Sequence, residues 1–171
     1  VRMLLDSRAS VDLANHEGNT PLTLACLVVS ANGDRIVMEL IRAGAAVNHA
    51  RDDGMSALML AAQAGMASAL TLLLEAGASL HATDVDGHSA LMIAARAGQE
   101  STCRSLLDAR ADPSLARDDG ETAVTLALQN EHHSVVSLMR DFEELHAMGE
   151  ADDAPPLVSS LSSSTSSRLR R

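Results

Sequence analysis

Three stretches of this chain pair carboxylates in a way that chemistry could use. "RDDG" stands at 51–54 and again at 117–120, and "DVDG" stands at 84–87. Neighbouring aspartates supply the hard oxygens of a divalent-cation site, or an acid and a base held side by side. Spacing decides between these uses and a plainer one. Gly54, Gly87 and Gly120 are 33 residues apart, so each acidic stretch belongs to one copy of a repeated unit. A fixed period of this length marks a stacked array. Asp52 and Asp53 then lie two copies from Asp118 and Asp119, on separate turns, and cannot converge on one ion or substrate. "DVDG" has Ala82 where a calcium loop needs its first ligand, and no bidentate glutamate closes it. The aspartates are therefore predicted to be turn residues.

Seven histidines invite a metal or general-base reading. His132 and His133 are sequential and point to different faces of a helix. His16, His49, His81, His88 and His146 are scattered over connecting segments and are predicted to be surface residues. No G-x-S-x-G, H-E-x-x-H, C-x-x-C or glycine-rich phosphate loop occurs. All 13 basic residues are arginine, which excludes a Schiff-base or P-loop lysine. The sequence predicts no catalytic residue, no metal, no cofactor, and so no enzyme.

The elements that carry these residues are short. Of 171 residues, 46% are hydrophobic but only 1% aromatic, so burial must come from Leu, Ala, Val and Met in thin, closely packed layers. A formal charge of −10 repels a phosphate backbone, which excludes nucleic acid as a partner. The uncharged run from Met55 to Leu74 has the length of a membrane span. Ser56, Gln63, Ser68 and Thr71 interrupt it, and Gly65 falls where the period requires a helix break, so no membrane segment is predicted. Cys26 and Cys103 lie on helices two copies apart, too far to bridge, and two free thiols suit a reducing, intracellular compartment, cytoplasmic or nuclear.

Residues 51–83 give one unit. "DDG" is a turn, since Asp and Gly tolerate the left-handed backbone region. Ser56 sits where a helix N-cap belongs, as do Thr20, Ser89 and Thr122 in the other copies. Pro21 follows Thr20 at the first helical position, where a missing amide is harmless. Gly65 ends a short first helix. A second helix over about 68–76 buries Ala69, Leu70, Leu72 and Leu73, and Gly77 closes it. Neither helix is long enough to be stable alone; stacked copies bury the face that one copy leaves wet.

The phased pattern "GNTPLTLA" at 18–25, "ELIRAGAAVN" at 39–48, "LLLEAGASL" at 72–80 and "SLLDARADP" at 105–113 resembles the ankyrin repeat. The resemblance covers about residues 1–142. It implies an all-α solenoid of antiparallel helix pairs joined by β-hairpin loops, whose general role is to bind other proteins. The units are expected at 1–14 (the end of a preceding repeat), 15–50, 51–83, 84–116 and 117–149 with a polar cap, followed by a disordered Ser- and Pro-rich tail at 150–171. Because "VRMLLDSRAS" reads as half of a second helix, the chain is expected to be a fragment of a longer array. Three departures stand out. Thr23, Met59, Met92 and Thr125 replace the family's tetrad histidine, removing a hydrogen-bond network. Arg8 and Arg110 replace a closing glycine, which costs on the order of 1 kcal/mol for a left-handed non-glycine residue. Three extra residues between Cys26 and Asn32 predict a longer inner helix or a protruding loop.

By the family's geometry, the partner-facing residues are expected at the hairpin tips and inner-helix ends, on the concave side. They are His16, Glu17, Asn19, Asp52, Asp53, Met55, Gln63, Val85, Asp86, His88, Arg96, Asp118, Asp119, Glu121, Gln129 and Asn130. The tips form an acidic ladder fitted to a basic peptide segment of a protein partner, with the chain itself monomeric. Asn48, in the G-A-x-V-N position, resembles a substrate of an oxygen-dependent asparaginyl hydroxylase. The Ser/Thr run at 159–167 beside Arg168, Arg170 and Arg171 offers phosphate acceptors, or is a plain flexible tail. The expected role is a non-catalytic adaptor; the alternative is a regulatory segment of a larger enzyme or channel.

Overall fold

The computed structural model describes residues 10–28 and 32–149. The half helix expected near the start and the Ser-rich tail with its phosphate acceptors lie outside these. Eight helices form among the described residues: α1 (Pro21–Leu27), α2 (Gly33–Arg42), α3 (Ala57–Ala64), α4 (Ala67–Glu75), α5 (Ala90–Arg96), α6 (Glu100–Asp108), α7 (Ala123–Gln129) and α8 (His133–Gly149).

The predicted N-caps form. The hydroxyl oxygens of Thr20, Ser56, Ser89 and Thr122 accept from the backbone N–H of Thr23, Met59, Met92 and Thr125. Each cap begins an inner helix, α1, α3, α5 or α7, and these four stack on one another in chain order. Behind each lies its outer partner, α2, α4, α6 or α8, forming a second stacked row. Before α3, α5 and α7 a pair of residues before and at the cap closes the hairpin as an antiparallel bridge, Ala50 with Ser56, Thr83 with Ser89 and Ala116 with Thr122.

The core runs continuously through the stack and is made of small and aliphatic residues. In α3 every residue from Ala57 to Ala62 is buried, and in α5 every residue from Ala90 to Ala95. Both helices are enclosed on all sides because each has an inner neighbour above and below and an outer partner behind. At the first described inner helix this enclosure fails: Leu24 is 43% exposed, whereas Leu60, Ile93 and Leu126, at the same place in later units, are 2%, 0% and 4% exposed. Cys26 and Cys103 are free and buried, as the spacing predicted. Burial pushes both thiols up to about 12, with the Asp34 carboxylate adding to this at Cys26 and Glu100 at Cys103.

Several expectations are corrected in detail. The inner helix before the inserted residues is not longer: α1 ends at Leu27, and residues 29–31 lie outside the described set. Leu72 is only half-buried, because it sits at the edge of the α4 face that Ala69, Leu70 and Leu73 bury. The tetrad network is not wholly lost. The Thr23 hydroxyl donates to the Thr20 carbonyl at 2.9 Å, and Thr125 donates to the Thr122 carbonyl at 2.8 Å while accepting from the Thr122 N–H at 2.7 Å. Threonine thus rebuilds within its own unit part of what histidine is expected to supply. The polar cap is a full helix, since α8 runs for 17 residues against 9 for α4 and α6.

Among the described residues, which leave out Arg8, two non-glycine residues occupy the left-handed region, Arg110 at φ 71° and Glu131 at φ 59°. Arg110 is the expected one. Glu131 stands 33 residues after Gly98 and 66 after Gly65, both left-handed, and no glycine was retained for it. Elsewhere glycine serves space as well as angle. A Cβ on Gly54 would lie 2.8 Å from the Val85 amide nitrogen of the next turn, whereas Gly120, at a similar φ of 85°, faces nothing within 4 Å.

Two measurements check this architecture. Gly120→Ala should cost about 1 kcal/mol in urea unfolding, from backbone strain alone. Gly54→Ala should cost clearly more, because a turn must also move; equal losses would show that the turns do not press on one another. Folded thiols that hold their protons up to about 12 contribute stability that is complete below the unfolded value near 9.0 and is lost as pH rises through that window. Unfolding at increasing alkaline pH should therefore lose about 1.4 kcal/mol per thiol per pH unit above about 9. A Cys26→Ala/Cys103→Ala variant should show a shallower decline.

Candidate interaction surface

Four turns of one design precede the inner helices. In each, the first residue accepts from a glycine N–H three positions on and donates to a carbonyl four positions on. The glycine bonds are Gly18 to Asn15, Gly54 to Arg51, Gly87 to Asp84 and Gly120 to Arg117, all 2.9–3.1 Å. The amides of Asn15, Arg51, Asp84 and Arg117 donate to the carbonyls of Asn19, Met55, His88 and Glu121.

A side-chain oxygen braces each turn, and its source depends on the first residue. Where that residue is Asn15 or Asp84, its own Oδ1 takes the N–H groups two and four positions on. Where it is arginine, the second aspartate does part of this: Asp53 Oδ1 accepts from the Met55 N–H at 3.0 Å, and Asp119 Oδ1 from the Glu121 N–H at 3.1 Å. The arginine then pairs with the same carboxylate, Arg51 with Asp53 and Arg117 with Asp119, both at 3.1 Å. Arg117 also holds Glu121 at 2.7 Å and donates from Nε to the Asp86 carbonyl of the preceding turn. Asp53 and Asp119 are thus engaged within their turns, each bonded to a backbone N–H and paired with an arginine, Arg117 being shared between Asp119 and Glu121. Among the described residues no ion pair reaches Asp52, Asp86 or Asp118, and all three are exposed.

The other expected partner-facing residues divide the same way. His16, Glu17 and Val85 are exposed at the tips, Val85 by 70%. Met55 is half-buried against the core. Asn19 is buried, its amide donating to Glu17. At the inner-helix ends, Gln63, Gln129 and Asn130 are exposed and Arg96 half-buried. Gln129 donates to Glu121 at 2.8 Å, and Asn130 turns back to the Leu126 carbonyl. Leu27, Val28 and Leu128 are exposed apolar side chains at the inner-helix ends that the sequence reading did not include.

The surface reading of the histidines is corrected at three positions. His49 Nε2 lies 2.9 Å from the Gly18 carbonyl, tying the end of its unit to the turn that begins it, and His132 Nε2 lies 3.1 Å from the Arg96 carbonyl, stitching its unit to the one before. His88 is only 5% exposed. Its Nδ1 lies 3.1 Å from Asp84 Oδ2, and its Nε2 lies 3.3 Å from Arg96 Nη1. The signal for this burial was present as an acid four residues before the histidine and an arginine eight after it. His16, His81 and His133 are exposed; the His146 side chain lies outside the described residues.

Ligand atoms of Asp84, Asp86 and His88 lie within 4.8 Å of one another, the spacing of a metal site. The surroundings oppose one. A cation on His88 Nδ1 would force the ring proton to Nε2, straight at the Arg96 guanidinium, which can only donate. Asp84 is already committed to two backbone N–H groups and the imidazole. Asn48, the expected hydroxylation position, bridges units: its amide donates to the Gly77 carbonyl at 3.0 Å and its oxygen accepts from the Ser79 N–H at 2.7 Å. Asp12 makes the matching bond to the Ala46 N–H.

No helix among the described residues is long and apolar enough to cross a membrane. A family model described as ankyrin repeats matches in three copies, over residues 27–116 and 91–164. No curated protein matches the chain.

Proposed function

Because this chain belongs to the ankyrin repeat family, whose members in general bind other proteins, we propose that it is a non-catalytic interaction module holding a partner along its turn tips and inner-helix ends. The observation that carries this reading is the division of the acids. Three exposed carboxylates, Asp52, Asp86 and Asp118, are left without a cation on successive turns, while their neighbours are consumed by the turns themselves. Val85 N–H to the Asp53 carbonyl and Arg117 Nε to the Asp86 carbonyl hold those turns in register. A second row, Gln63, Arg96 and Gln129, stands at one residue per unit on the inner-helix ends. The partner that fits is a protein segment with basic side chains toward the tips and hydrogen-bond acceptors toward the inner helices, with Val85 as the apolar contact between two acids. An intracellular setting accords with two buried free thiols.

The reading distinguishes acids that sequence alone makes equivalent. For a captured partner, Asp52→Arg, Asp86→Arg and Asp118→Arg together should weaken binding by about 1–3 kcal/mol, at up to about 1 kcal/mol per exposed charge, and the loss should shrink as salt is raised. Asp53→Asn and Asp119→Asn should leave affinity nearly unchanged and lower stability instead. Unaltered capture by the triple variant would remove the acidic row from the interface.

Asn48 remains a proposed hydroxylation site. Intact-peptide mass spectra of protein from its native cell should contain one added oxygen on the peptide bearing Asn48, and its absence there argues against the modification.

A further inference from the structure

His88 is the buried histidine whose side chain neither the turn design nor the proposed partner contacts require. Met55 and Glu121 hold the equivalent place in neighbouring units. Its partners leave one protonation pattern. The Asp84 carboxylate faces Nδ1 through both oxygens, at 3.1 and 3.2 Å, so Nδ1 carries a proton and donates. Arg96 Nη1 faces Nε2 at 3.3 Å, and guanidinium has no lone pair to offer, so Nε2 accepts. Both contacts hold together only in the neutral imidazole with its proton on Nδ1. A second proton on Nε2 would set N–H against N–H and cation against cation, while the bond to Asp84 would survive as an ion pair.

We propose that Asp84, His88 and Arg96 form a proton-operated latch: neutral His88 holds Arg96 against the turn, and protonation of His88 releases the guanidinium onto the partner-facing surface. The consequence for a partner rests on the reading of that face given above; the latch itself does not. Release changes the inner row between Gln63 and Gln129 from a pinned donor to a free cation, beside a newly charged imidazole. A basic segment would then meet a mobile guanidinium in place of a pinned one, and one more positive charge on the imidazole, so acid disfavours it.

The surroundings leave few competing groups. The neighbouring inner helices, α3 and α7, carry no titratable side chain. On the outer partner α6, Glu100 and Arg104 pair with each other at 3.5 Å, and Cys103 and Asp108 complete its titratable set. On the preceding turn Asp53 is held by Arg51. On the following turn Arg117 is shared by Asp119 and Glu121, and Asp118 lines the same depression as Asp84 and Asp86. Asp86, on the latch turn itself, is the exposed carboxylate nearest in sequence to His88. From the following unit His132 Nε2 lies 3.1 Å from the Arg96 carbonyl, so His88 and His132 are the side chains here whose charge changes near neutral pH, and His88→Gln separates them.

The experiment follows both groups in the whole chain by NMR across pH, with no partner present. The Arg96 side-chain N–H resonance should move with the same midpoint as the His88 ring resonances, and in His88→Gln that inflection should vanish. Arg96→Gln installs the residue that the neighbouring units carry, so the fold has a ready precedent for it; there the His88 ring midpoint should differ from that of the unaltered chain, the opposing cation being gone. An Arg96 resonance without an inflection at the His88 midpoint, an inflection that persists in His88→Gln, or an unmoved His88 midpoint in Arg96→Gln would each overturn the latch. The partner reading fails or stands separately, on the acidic triple variant.

Discussion

A helix of seven residues cannot hold itself together in water, and three of the four inner helices here are of that length. Each therefore depends on the unit before it and the unit after it, and the contact between units is the constraint to which everything else answers. It is made in three layers. Alanine-rich inner helices press together in the core. Side chains at the helix–helix corners, Gln99 and His132, reach back to the carbonyls that end the preceding inner helix, at Gln63 and Arg96. At the tips, backbone and arginine bonds carry the register from turn to turn. Gly65 and Gly98 belong to this contact, because Gln99 and His132 occupy the space a Cβ would need.

The acids on the tips are a by-product of the same requirement before they are anything else. A tight turn needs a short side-chain acceptor, and aspartate or asparagine supplies one. Where the first turn residue is itself Asn or Asp, one side chain suffices. Where it is arginine, a second acid must brace the turn, and arginine then pairs with it. Only the acids left over project a field outward. Net charge thus overstates the charge that a neighbour meets.

Much of the fold was legible because its rules are local. A 33-residue period, Ser or Thr before each inner helix and glycine after the outer helices α2 and α4 need only a few adjacent residues to be read. The site was less legible. Asp52 and Asp53 are the same letter, and only the turn's hydrogen bonds tell which one is spent internally. His88 reads as a loop residue until the helix after it brings Arg96 back over the ring. Glu131 sits in frame with Gly65 and Gly98, so its left-handed backbone was implied by position but masked by its identity. Threonine in place of the tetrad histidine read as a loss, although a hydroxyl can recover one bond by turning onto its own cap.

The two left-handed non-glycine residues among those described, Arg110 and Glu131, fall on either side of α7. Gly44 and Gly77 hold the place of Arg110 in earlier units, and Gly65 and Gly98 the place of Glu131, all in the left-handed region. In a stack where each unit is coupled only to its neighbours, such a distribution gives the array a direction. Cohesion is not shared evenly along the axis, and the last helix pair is joined by the two most strained corners. Pulled from its ends or warmed, the stack would peel from that side, one unit at a time, before its glycine-jointed middle gave way.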